Sequence, residues 1–536
     1  MSVFYKFLQI LIAMLSILFL AGCVMGEPPI ATPNPNFAVN LNQSEDEEAE
    51  IPPQEAPNIP VTPVHGGQLR IAMPMPATLN PLLNSDPDVG SVLRLIFEPL
   101  VILDAQKRPR PNPAITQSVI FSADGRSLAI SLYDDIFWED GSPITSADIA
   151  FSIDVLRFSA PDTALYRNNV ENIVSHAALD SRTLQINLRN PMWAMKYMLN
   201  FPIIPADYYR NVSMTNLTAA RNMHPLGNGP FRFMSYEAAG SLELIANEFA
   251  TGGAPYISSV SVMILRDMDG AQYTFEQGLT DVLAASPYDW GRYSVMGKNR
   301  AAQVLTGHFD FIGFNMRNPL FEEYGFREAV AYSFDLQVVL QRYYAQADAA
   351  IAPINPESWL AADDLREHYY DPERASRYFA LLDDIPEISI IVSAENPEGM
   401  GTATILAEGL EQAGVDVILE ILPFSTFISR VDAVDFDIIV GGILVSPIPD
   451  FGFLETILGY SSEEFNLTMT MMRYSLSESG LIQAAEVAQH YVADNLPIIG
   501  VAFRRQVLYT TGHVRGNIEI SARDIFASVN DWFIVN

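Results

Sequence analysis

The segment that decides the fold is "FSADGRSLAISLYDDIFWEDGSPITSADIAFSIDVLR", residues 121–157. Its Asp124–Gly125 pair is a strong turn signal, and "SLAISL" alternates apolar with polar residues, which predicts a β-hairpin. Ser146 precedes the apolar-periodic run "ADIAFSIDVL", and Asp148 falls in its first turn, where a carboxylate is favourable. The segment therefore predicts a hairpin, a turn and a helix that has Ser146 as its N-cap.

The folded part of the chain opens upstream with "GGQLRIAMPMPATLNPLL", residues 66–83. "QLRIAM" alternates as a strand does. "PMPATLNP" must be a loop, because its prolines cannot donate to a β-ladder. The following run, "SVLRLIFEPLVIL", places Val92, Leu93, Ile96 and Leu100 at helical spacing and so predicts a helix.

Downstream, the stretch "LGNGPF" predicts a tight turn into a strand. Gly227 and Gly229 permit positive φ, and Pro230 fixes the exit into a strand. This stretch is not expected to bind phosphate, because Arg232 stands where a dinucleotide-binding fingerprint requires its third glycine.

The second half of the chain alternates predicted helices with predicted strands. "FREAVAYSFDLQVVLQRYY" has its apolar residues at helical spacing, so Arg327 and Asp335 are expected to make structural polar contacts. "ATILAEGLEQAGVDVILEIL" predicts a helix that stops at Gly414, followed by the strand Val415–Leu422. Alternation of this kind indicates α/β lobes.

Taken in order along residues 66–516, these segments resemble the family 5 extracellular solute-binding proteins, which are the peptide- and nickel-binding receptors of ABC importers. The segments that carry the resemblance are "GGQLRIA…ATLNPLL", "LRLIFEPLVILD", the segment 121–157, "HPLGNGPFRF", "NEFATGGAPYISSVSVMIL", "FDFIGFNMRNPLF…FREAVAYSFD", "YYDPERASRYFALL", "DFDIIVGG" and "DNLPIIGVAFRRQVLYTTGHVRG". The resemblance implies an α/β, two-lobed periplasmic-binding-protein-like fold, with a ligand cleft, a hinge and an extra domain inserted in the first lobe.

The resemblance and the composition together predict the domain organisation. The expected ranges are a lipoprotein signal peptide at 1–22, a disordered Pro-rich and acidic tether at 23–65, a first lobe at 66–92 plus 223–305 plus 496–536, an inserted domain at 93–222, and a second lobe at 306–495. The tether is expected to stay extended, because low hydrophobicity with proline and like charge cannot support a core. Its acidic run "EDEEAE" leaves a partner site open as an alternative.

The N-terminus predicts export and lipid anchoring. Lys6 precedes an apolar run from Phe7 to Leu20 that ends in small residues, the pattern of a secretory signal. "LAGC" resembles the lipobox of bacterial lipoproteins, and its Cys23 is the one cysteine of the chain. We expect residues 1–22 to be removed and Cys23 to be lipidated, so that the protein is held at the outer face of the cell membrane. The alternative is an ordinary signal peptide with a stray cysteine.

Composition and motifs argue against nucleic-acid binding and against catalysis. The formal net charge of −33 disfavours a polyanionic partner. No G-x-S-x-G motif occurs, and "GRYSVMGKN" has the wrong glycine spacing and Asn299 where a P-loop needs Ser or Thr. The seven histidines lie far apart, without a metal-ligand pattern. We therefore expect no enzyme, no cofactor and no metal, although carboxylates from distant segments could still meet in a cleft.

The resemblance also implies where a ligand binds. In the peptide receptors, a Gly-Trp on the strand after "FD" pairs through its backbone with the ligand, and an acid a few residues later holds the α-ammonium. The matching positions are Gly442, Ile443 and, for the acid, Ser446, so both the tryptophan and the carboxylate are replaced. Asp450 could supply the acid, or it could cap the helix of "FGFLETIL".

Two other segments hold candidate ligand residues. Thr78 and Asn80 lie in the loop "PATLNP", which the resembled family turns toward its ligand. Tyr288 and Trp290, in "DVLAASPYDWGRY", are aromatic residues suited to a ligand wall. For both segments, core packing is the open alternative.

The leading hypothesis is a membrane-anchored, monomeric receptor that binds a peptide or peptide-like solute between its lobes and delivers it to the transmembrane subunits of an ABC permease. One alternative is a ligand-sensing or interaction lipoprotein that keeps the fold without import. A second alternative is a hydrolase that uses the same cleft.

Overall fold

The computed structural model describes residues 62–535, apart from 286–292, 294–298 and the single positions Ala239, Ala345, Asp383, Pro447 and Pro449. Within this part of the chain, no helix has both the length and the apolar character that crossing a membrane requires.

The strands of the described residues are numbered in chain order. They are β1 (Gln68–Pro74), β2 (Val101–Leu103), β3 (Pro109–Pro111), β4 (Thr116–Phe121), β5 (Ser127–Leu132), β6 (Ile173–Ala178), β7 (Thr183–Leu188), β8 (Phe231–Tyr236), β9 (Ser241–Ala246), β10 (Ser259–Leu265), β11 (Val282–Ala285), β12 (Arg300–Phe314), β13 (Asp348–Ala349), β14 (Ile388–Ser393), β15 (Val417–Leu422), β16 (Ile438–Leu444), β17 (Ile498–Thr510), β18 (Val514–Gly516) and β19 (Trp532–Ile534).

The α-helices of the described residues are numbered in the same way. They are α1 (Pro87–Leu93), α2 (Ser146–Asp154), α3 (Met195–Met198), α4 (Ala206–Tyr209), α5 (Ala271–Glu276), α6 (Pro319–Glu322), α7 (Tyr324–Ser333), α8 (Leu336–Tyr343), α9 (Pro372–Phe379), α10 (Pro397–Gln412), α11 (Phe424–Asp432), α12 (Phe453–Thr456), α13 (Glu463–Arg473) and α14 (Glu478–Asn495).

The first lobe is built on a four-stranded sheet with the order β1-β10-β9-β8. β1 and β10 run parallel, and the other two pairs are antiparallel. An antiparallel sheet, β4-β5-β7-β6, is inserted in the sequence between β1 and β8. The two sheets share one hydrophobic core, which runs from Leu69 and Ile71 in β1 to Leu184 and Ile186 in β7.

The second lobe is built on a larger mixed sheet with the order β11-β17-β12-β16-β14-β15, in which β13 also pairs with β17. β14 is parallel to both of its neighbours, whereas β12 and β17 form a long antiparallel pair. The helix α10 covers this sheet with buried residues such as Leu406 and Leu410 in a second core. The predicted α/β, two-lobed architecture is confirmed.

β11 and β17 belong to the sheet of the second lobe, although their residues fall within the ranges that we predicted for the first. The physical reason is that β17 pairs with β12 at Arg300–Leu305 and again at Phe309–Gly313, so the two strands cannot be divided between sheets. The boundaries between the lobes therefore stay a proposal.

Several local predictions are confirmed. Gly125 and Gly414 adopt positive φ, at the hairpin turn and at the end of α10. Arg327 is buried, and its guanidinium donates to the backbone carbonyls of Phe321, Glu322, Asn495 and Leu496. Asp335 is the N-cap of α8, where its carboxylate accepts from the Val338 amide. Both residues make structural contacts, as expected.

Other local predictions are wrong in instructive ways. The N-cap of α2 is Thr145, which forms a capping box with Asp148, whereas Ser146 is the first helical residue. The helix predicted across "SVLRLIFEPLVIL" ends at Leu93, because the following residues turn back and Val101 starts β2. The apolar spacing there reflects a buried turn rather than a helix. The residues at helical spacing from Phe326 onward are divided between two helices, α7 and α8, which are separated by Phe334 and Asp335.

Gly227 and Gly229 are required by close packing and not by positive φ. Neither residue has positive φ. The amides of Asn228 and Gly229 both donate to the carbonyl oxygen of Ile96, at 3.0 and 2.8 Å. A Cβ on Gly227 would overlap that oxygen, and one on Gly229 would lie 2.7 Å from the Ile96 carbonyl carbon. The two glycines thus join the loop before β8 to the turn after α1.

The change Gly227→Ala is expected to destabilise the first lobe by about 1–3 kcal/mol, because the added methyl group meets a fixed backbone carbonyl. Gly270→Ala is the matched control, since a Cβ there would have only Leu265 Cδ1 at 3.9 Å. Calorimetry should show a lower melting temperature for Gly227→Ala alone. Equal melting temperatures would contradict the packing role.

Candidate functional site

A cavity of about 950 Å³ lies between the first-lobe and inserted elements on one side and the second-lobe sheet on the other. Its wall is formed mainly by residues within 94–114, 301–307, 353–360, 444–446 and 518–530. These segments come from both lobes and from the chain near the C-terminus. The volume falls in the range of about 300–1,000 Å³ that is usual for small-molecule sites.

The floor of this cavity is an interruption in the β12–β17 ladder. Regular pairing stops at Leu305 and resumes at Phe309. In the gap, Thr306 Oγ1 donates to the Arg504 carbonyl at 2.7 Å, and the Val445 amide donates to the Gly307 carbonyl at 2.8 Å. Bulges of this kind are common next to functional sites, because they bend a strand and turn its side chains.

The strand β16 has a free backbone edge beside the cavity. β12 pairs with all of Ile438–Leu444, whereas β14 pairs only with Ile438 to Val440. Within the described chain, residues 441–444 therefore have no ladder partner on the side away from β12. Leu444 and Ser446 belong to the cavity wall. An unpaired edge of this kind can accept an extended ligand as an added strand.

Behind this edge lies a buried ion pair that sequence reasoning missed. Arg504 donates to Asp310 through Nε at 2.5 Å and Nη2 at 2.8 Å, and its Nη1 lies 3.2 Å from Glu398. The Asp310 side chain is only 3% exposed. A Cβ on Gly442 would lie 2.5 Å from Asp310 Oδ1 and 2.6 Å from His308 Nε2. Gly442 is therefore required by its close packing against this pair.

The opposite wall of the cavity carries charged groups that sequence reasoning also missed: Arg94, Glu98, Arg523 and Asp524. Burial raises the pKa of Glu98 to about 7; a hydrogen bond of 2.8 Å from Asn112 opposes this increase, and the nearby Asp524 adds to it. Burial also raises the pKa of Asp524. No local motif marks these residues, because they come from distant parts of the chain.

A known protein family matches most of this chain. Residues 110–465 match the family described as "Bacterial extracellular solute-binding proteins, family 5 Middle". The chain belongs to this family. Family 5 consists of substrate-binding proteins of ABC transporters, which act outside the cytoplasm and are not enzymes.

Individual family 5 relatives are distant in sequence but similar in fold. The oligopeptide-binding protein AppA of Bacillus subtilis is 20% identical over 420 residues, which cover 72% of this chain and 75% of AppA. The structure of AppA in complex with a nonapeptide has a TM-score of 0.65 at 17% identity and covers 89% of this chain and 100% of that chain. The substrate-binding protein CtaP of Listeria monocytogenes has a TM-score of 0.77 at 18% identity, with coverages of 88% and 100%.

Among the residues predicted for the family 5 ligand site, Gly442 and Ile443 lie on the free edge of β16 and Ser446 follows it. Of these three residues, only Ser446 belongs to the cavity wall, which Leu444 connects to the strand edge. Asp450 lies outside the large cavity. Its carboxylate accepts from the Gly452 amide at 2.9 Å and forms an exposed ion pair with Arg473 at 3.2 Å. It borders a smaller cavity of about 450 Å³ that shares Ser446 with the large one.

Thr78 and Asn80 are fully buried and lie away from the cavity wall, so the structure does not support the ligand contact that we predicted for them. Asn80 Nδ2 donates to Asn222 Oδ1 at 3.0 Å, and its own Oδ1 accepts from the Leu82 amide. These bonds satisfy the polar groups that the loop "PATLNP" buries.

The remaining predicted residues, Tyr288, Trp290 and Cys23, lie outside the described residues.

The raised pKa of Glu98 predicts a pH dependence of stability. Between about pH 4.5 and 7, the folded protein holds a proton that the unfolded chain has lost, so the contribution of Glu98 to stability falls as pH rises through this window. Glu98→Gln should therefore gain in melting temperature relative to the wild type between pH 4 and pH 8. Burial also raises the pKa of Glu139 to about 7, so Glu139 contributes to the same decrease in stability with rising pH. A wild type and Glu98→Gln with parallel pH profiles would contradict this assignment.

Proposed function

We propose that the chain is a membrane-anchored, extracytoplasmic receptor of an ABC importer that binds a peptide-like solute in the large cavity and delivers it to the permease. The observation that carries the proposal is the free edge of β16 beside a cavity of about 950 Å³. A peptide can add to such an edge through main-chain hydrogen bonds alone. The relative AppA is named as an oligopeptide-binding protein, which supports this class of ligand.

In this proposal, the backbone of Gly442 and Ile443 pairs with an extended ligand, and Ser446 lies at the point where the two cavities meet. Ser446 cannot neutralise an ammonium, and Asp450 is already paired with Arg473. The second-lobe edge therefore favours a ligand whose binding here does not depend on a free α-amine. Tyr288 and Trp290 stay proposed as aromatic contacts.

Strand addition is tested with a tetrapeptide selected by native mass spectrometry from a random pool and then methylated at one backbone nitrogen at a time. Alternate N–H groups of an added strand point toward the partner, so methylation at alternate positions should weaken binding about tenfold, as measured by titration calorimetry. The intervening positions are the matched control. Uniform sensitivity, or none, would contradict strand addition.

Measuring the uptake and the cleavage of the same peptide distinguishes import from catalysis. A receptor returns the peptide intact and supports its uptake in the host strain, and deletion of the gene abolishes that uptake. Binding without any effect on uptake would favour the sensor alternative. Cleaved peptide would favour the hydrolase alternative.

Lipid anchoring is tested at Cys23, the one cysteine of the chain. A clickable fatty acid should label the wild type and not Cys23→Ser, and the variant should leave the membrane fraction, because only a thiol forms the thioether to the lipid. The control is a change in the tether, such as Ser44→Ala, which should not affect labelling. Equal labelling of Cys23→Ser would indicate an ordinary signal peptide.

A further inference from the structure

The inserted elements touch the second lobe along a contact that we call the seam. On the inserted side, the seam consists of the β2–β3 turn at 106–108 and the segment 193–197 around α3; on the second-lobe side, it consists of the loop at 353–360 and the turn 475–478 before α14. The cavity wall takes residues from that loop and from the β2–β3 turn, as well as from 301–307 of β12. The seam therefore bounds the cavity together with the β12–β17 pair.

Trp359 is the central residue of the seam. Its Nε1 donates to the Tyr197 hydroxyl at 2.7 Å, and its amide donates to the Gln106 carbonyl at 2.9 Å. The rings of Trp359 and Trp193 lie 5.7 Å apart, and the Arg108 guanidinium lies 5.1 Å from the Trp359 ring, a favourable cation–π distance. One side chain of the second lobe thus contacts both parts of the inserted side.

The aromatic side chains of the inserted side are buried in the core of the second lobe. Trp193 is 7% exposed and Tyr197 is 4% exposed, and both belong to the hydrophobic core of the large sheet. Phe121 packs against this core and against that of the first lobe. The Trp193 amide also donates to the Ser475 carbonyl at 2.7 Å. Separation of the lobes at the seam would expose these rings to water, so their burial favours the closed arrangement.

Two ion pairs flank Trp359. Lys107 Nζ lies 3.1 Å from Glu357 Oε2, and Arg108 forms an ion pair with Glu478. All four side chains are partly exposed, so each pair adds little stability, but both pairs align the two sides of the seam. Their partial exposure also makes them weaker as the salt concentration rises.

The loop at 353–360 joins the seam to the cavity floor. Asn355 Nδ2 donates to the carbonyl of Thr306, in the interruption of β12, at 3.0 Å. Two residues later Glu357 binds Lys107, and two residues after that Trp359 lies in the seam. Alternate residues of one short loop therefore contact the floor of the cavity and the opposite side of the cleft.

We propose that Trp359 and its loop form an interlobe latch, which holds the inserted elements against the second lobe and restricts opening of the cleft. The latch consists of contacts between side chains and backbone groups of this chain alone, so it goes beyond the proposed function and does not depend on the class of ligand. It slows the release of a solute from the cavity, because release requires the two sides of the seam to separate.

The latch is tested by hydrogen exchange, measured by mass spectrometry on the full-length protein without added peptide. Trp359→Leu keeps an apolar side chain but removes the indole donor and the ring contacts. This change should cause a loss of protection on the opposite side of the seam, at 106–108 and 193–197. Tyr369→Leu is the matched control, because Tyr369 is an aromatic residue of the second lobe that is 72% exposed, and it should leave exchange at the seam unchanged.

Arg108→Gln tests the latch from the inserted side. It should cause the reciprocal loss of protection, at 355–360 and 475–478, and it decides the question if Trp359→Leu fails to fold. The wild type in 1 M salt should show the same change, since the Debye length there is only about 3 Å. The tetrapeptide used to test strand addition should dissociate from Arg108→Gln about twofold to fivefold faster, the range for loss of one partly exposed ion pair.

A purely structural role of Trp359 within its own lobe gives a different result. Exchange would then rise in the surrounding second-lobe elements, while 106–108 and 193–197 stayed protected, and this outcome would overturn the latch. Unchanged exchange across the seam in Arg108→Gln would overturn it as well. Both readouts are taken without a ligand, so a protein that bound no peptide would contradict the proposed function and leave the result for the latch intact.

Discussion

The pairing of β12 with β17 is the constraint on which the other features depend. The two strands pair from Arg300 to Leu305 and again from Phe309, with a second register shift after Asp310, and the gap between Leu305 and Phe309 forms the cavity floor. Because backbone groups in the gap cannot pair within the ladder, other segments bond to them: Asn355 Nδ2 donates to the Thr306 carbonyl, and the Val445 amide donates to Gly307. The loop at 353–360 and the end of β16 therefore both bond to this one irregularity, and all three line the cavity between the lobes.

The buried ion pair Asp310–Arg504 holds the same two strands together through their side chains. Because Arg504 also reaches Glu398 in the first turn of α10, it ties β17 to β12 and to the helix that covers the sheet. Buried charges are a poor source of net stability, but removal of one partner typically costs about 3–5 kcal/mol. Such a contact favours one arrangement of the sheet over its alternatives, and it leaves room only for glycine at 442 on the neighbouring strand.

The sequence predicts local chemistry better than long-range assembly. The turn at Gly125, the stop at Gly414 and the structural role of Arg327 follow from backbone and polar constraints that are visible within a short window. The sequence does not show whether Thr78 and Asn80 face a ligand or the interior, because the local pattern around a polar loop residue is the same in both cases. In this fold they face a buried amide network. The charged wall was equally hidden, since Arg94 and Arg523 lie near opposite ends of the described chain and meet only through the fold.

The two walls of the cavity have complementary chemical roles. A free strand edge binds any extended backbone, so its affinity depends little on side chains, and by itself it does not define where a ligand must begin or end. Fixed charges do the reverse: they recognise one group at one point through charge-assisted hydrogen bonds. The second lobe supplies the edge next to a neutral Ser446, and the first lobe supplies the arginines. A ligand that contacted both walls would have to bridge the two lobes.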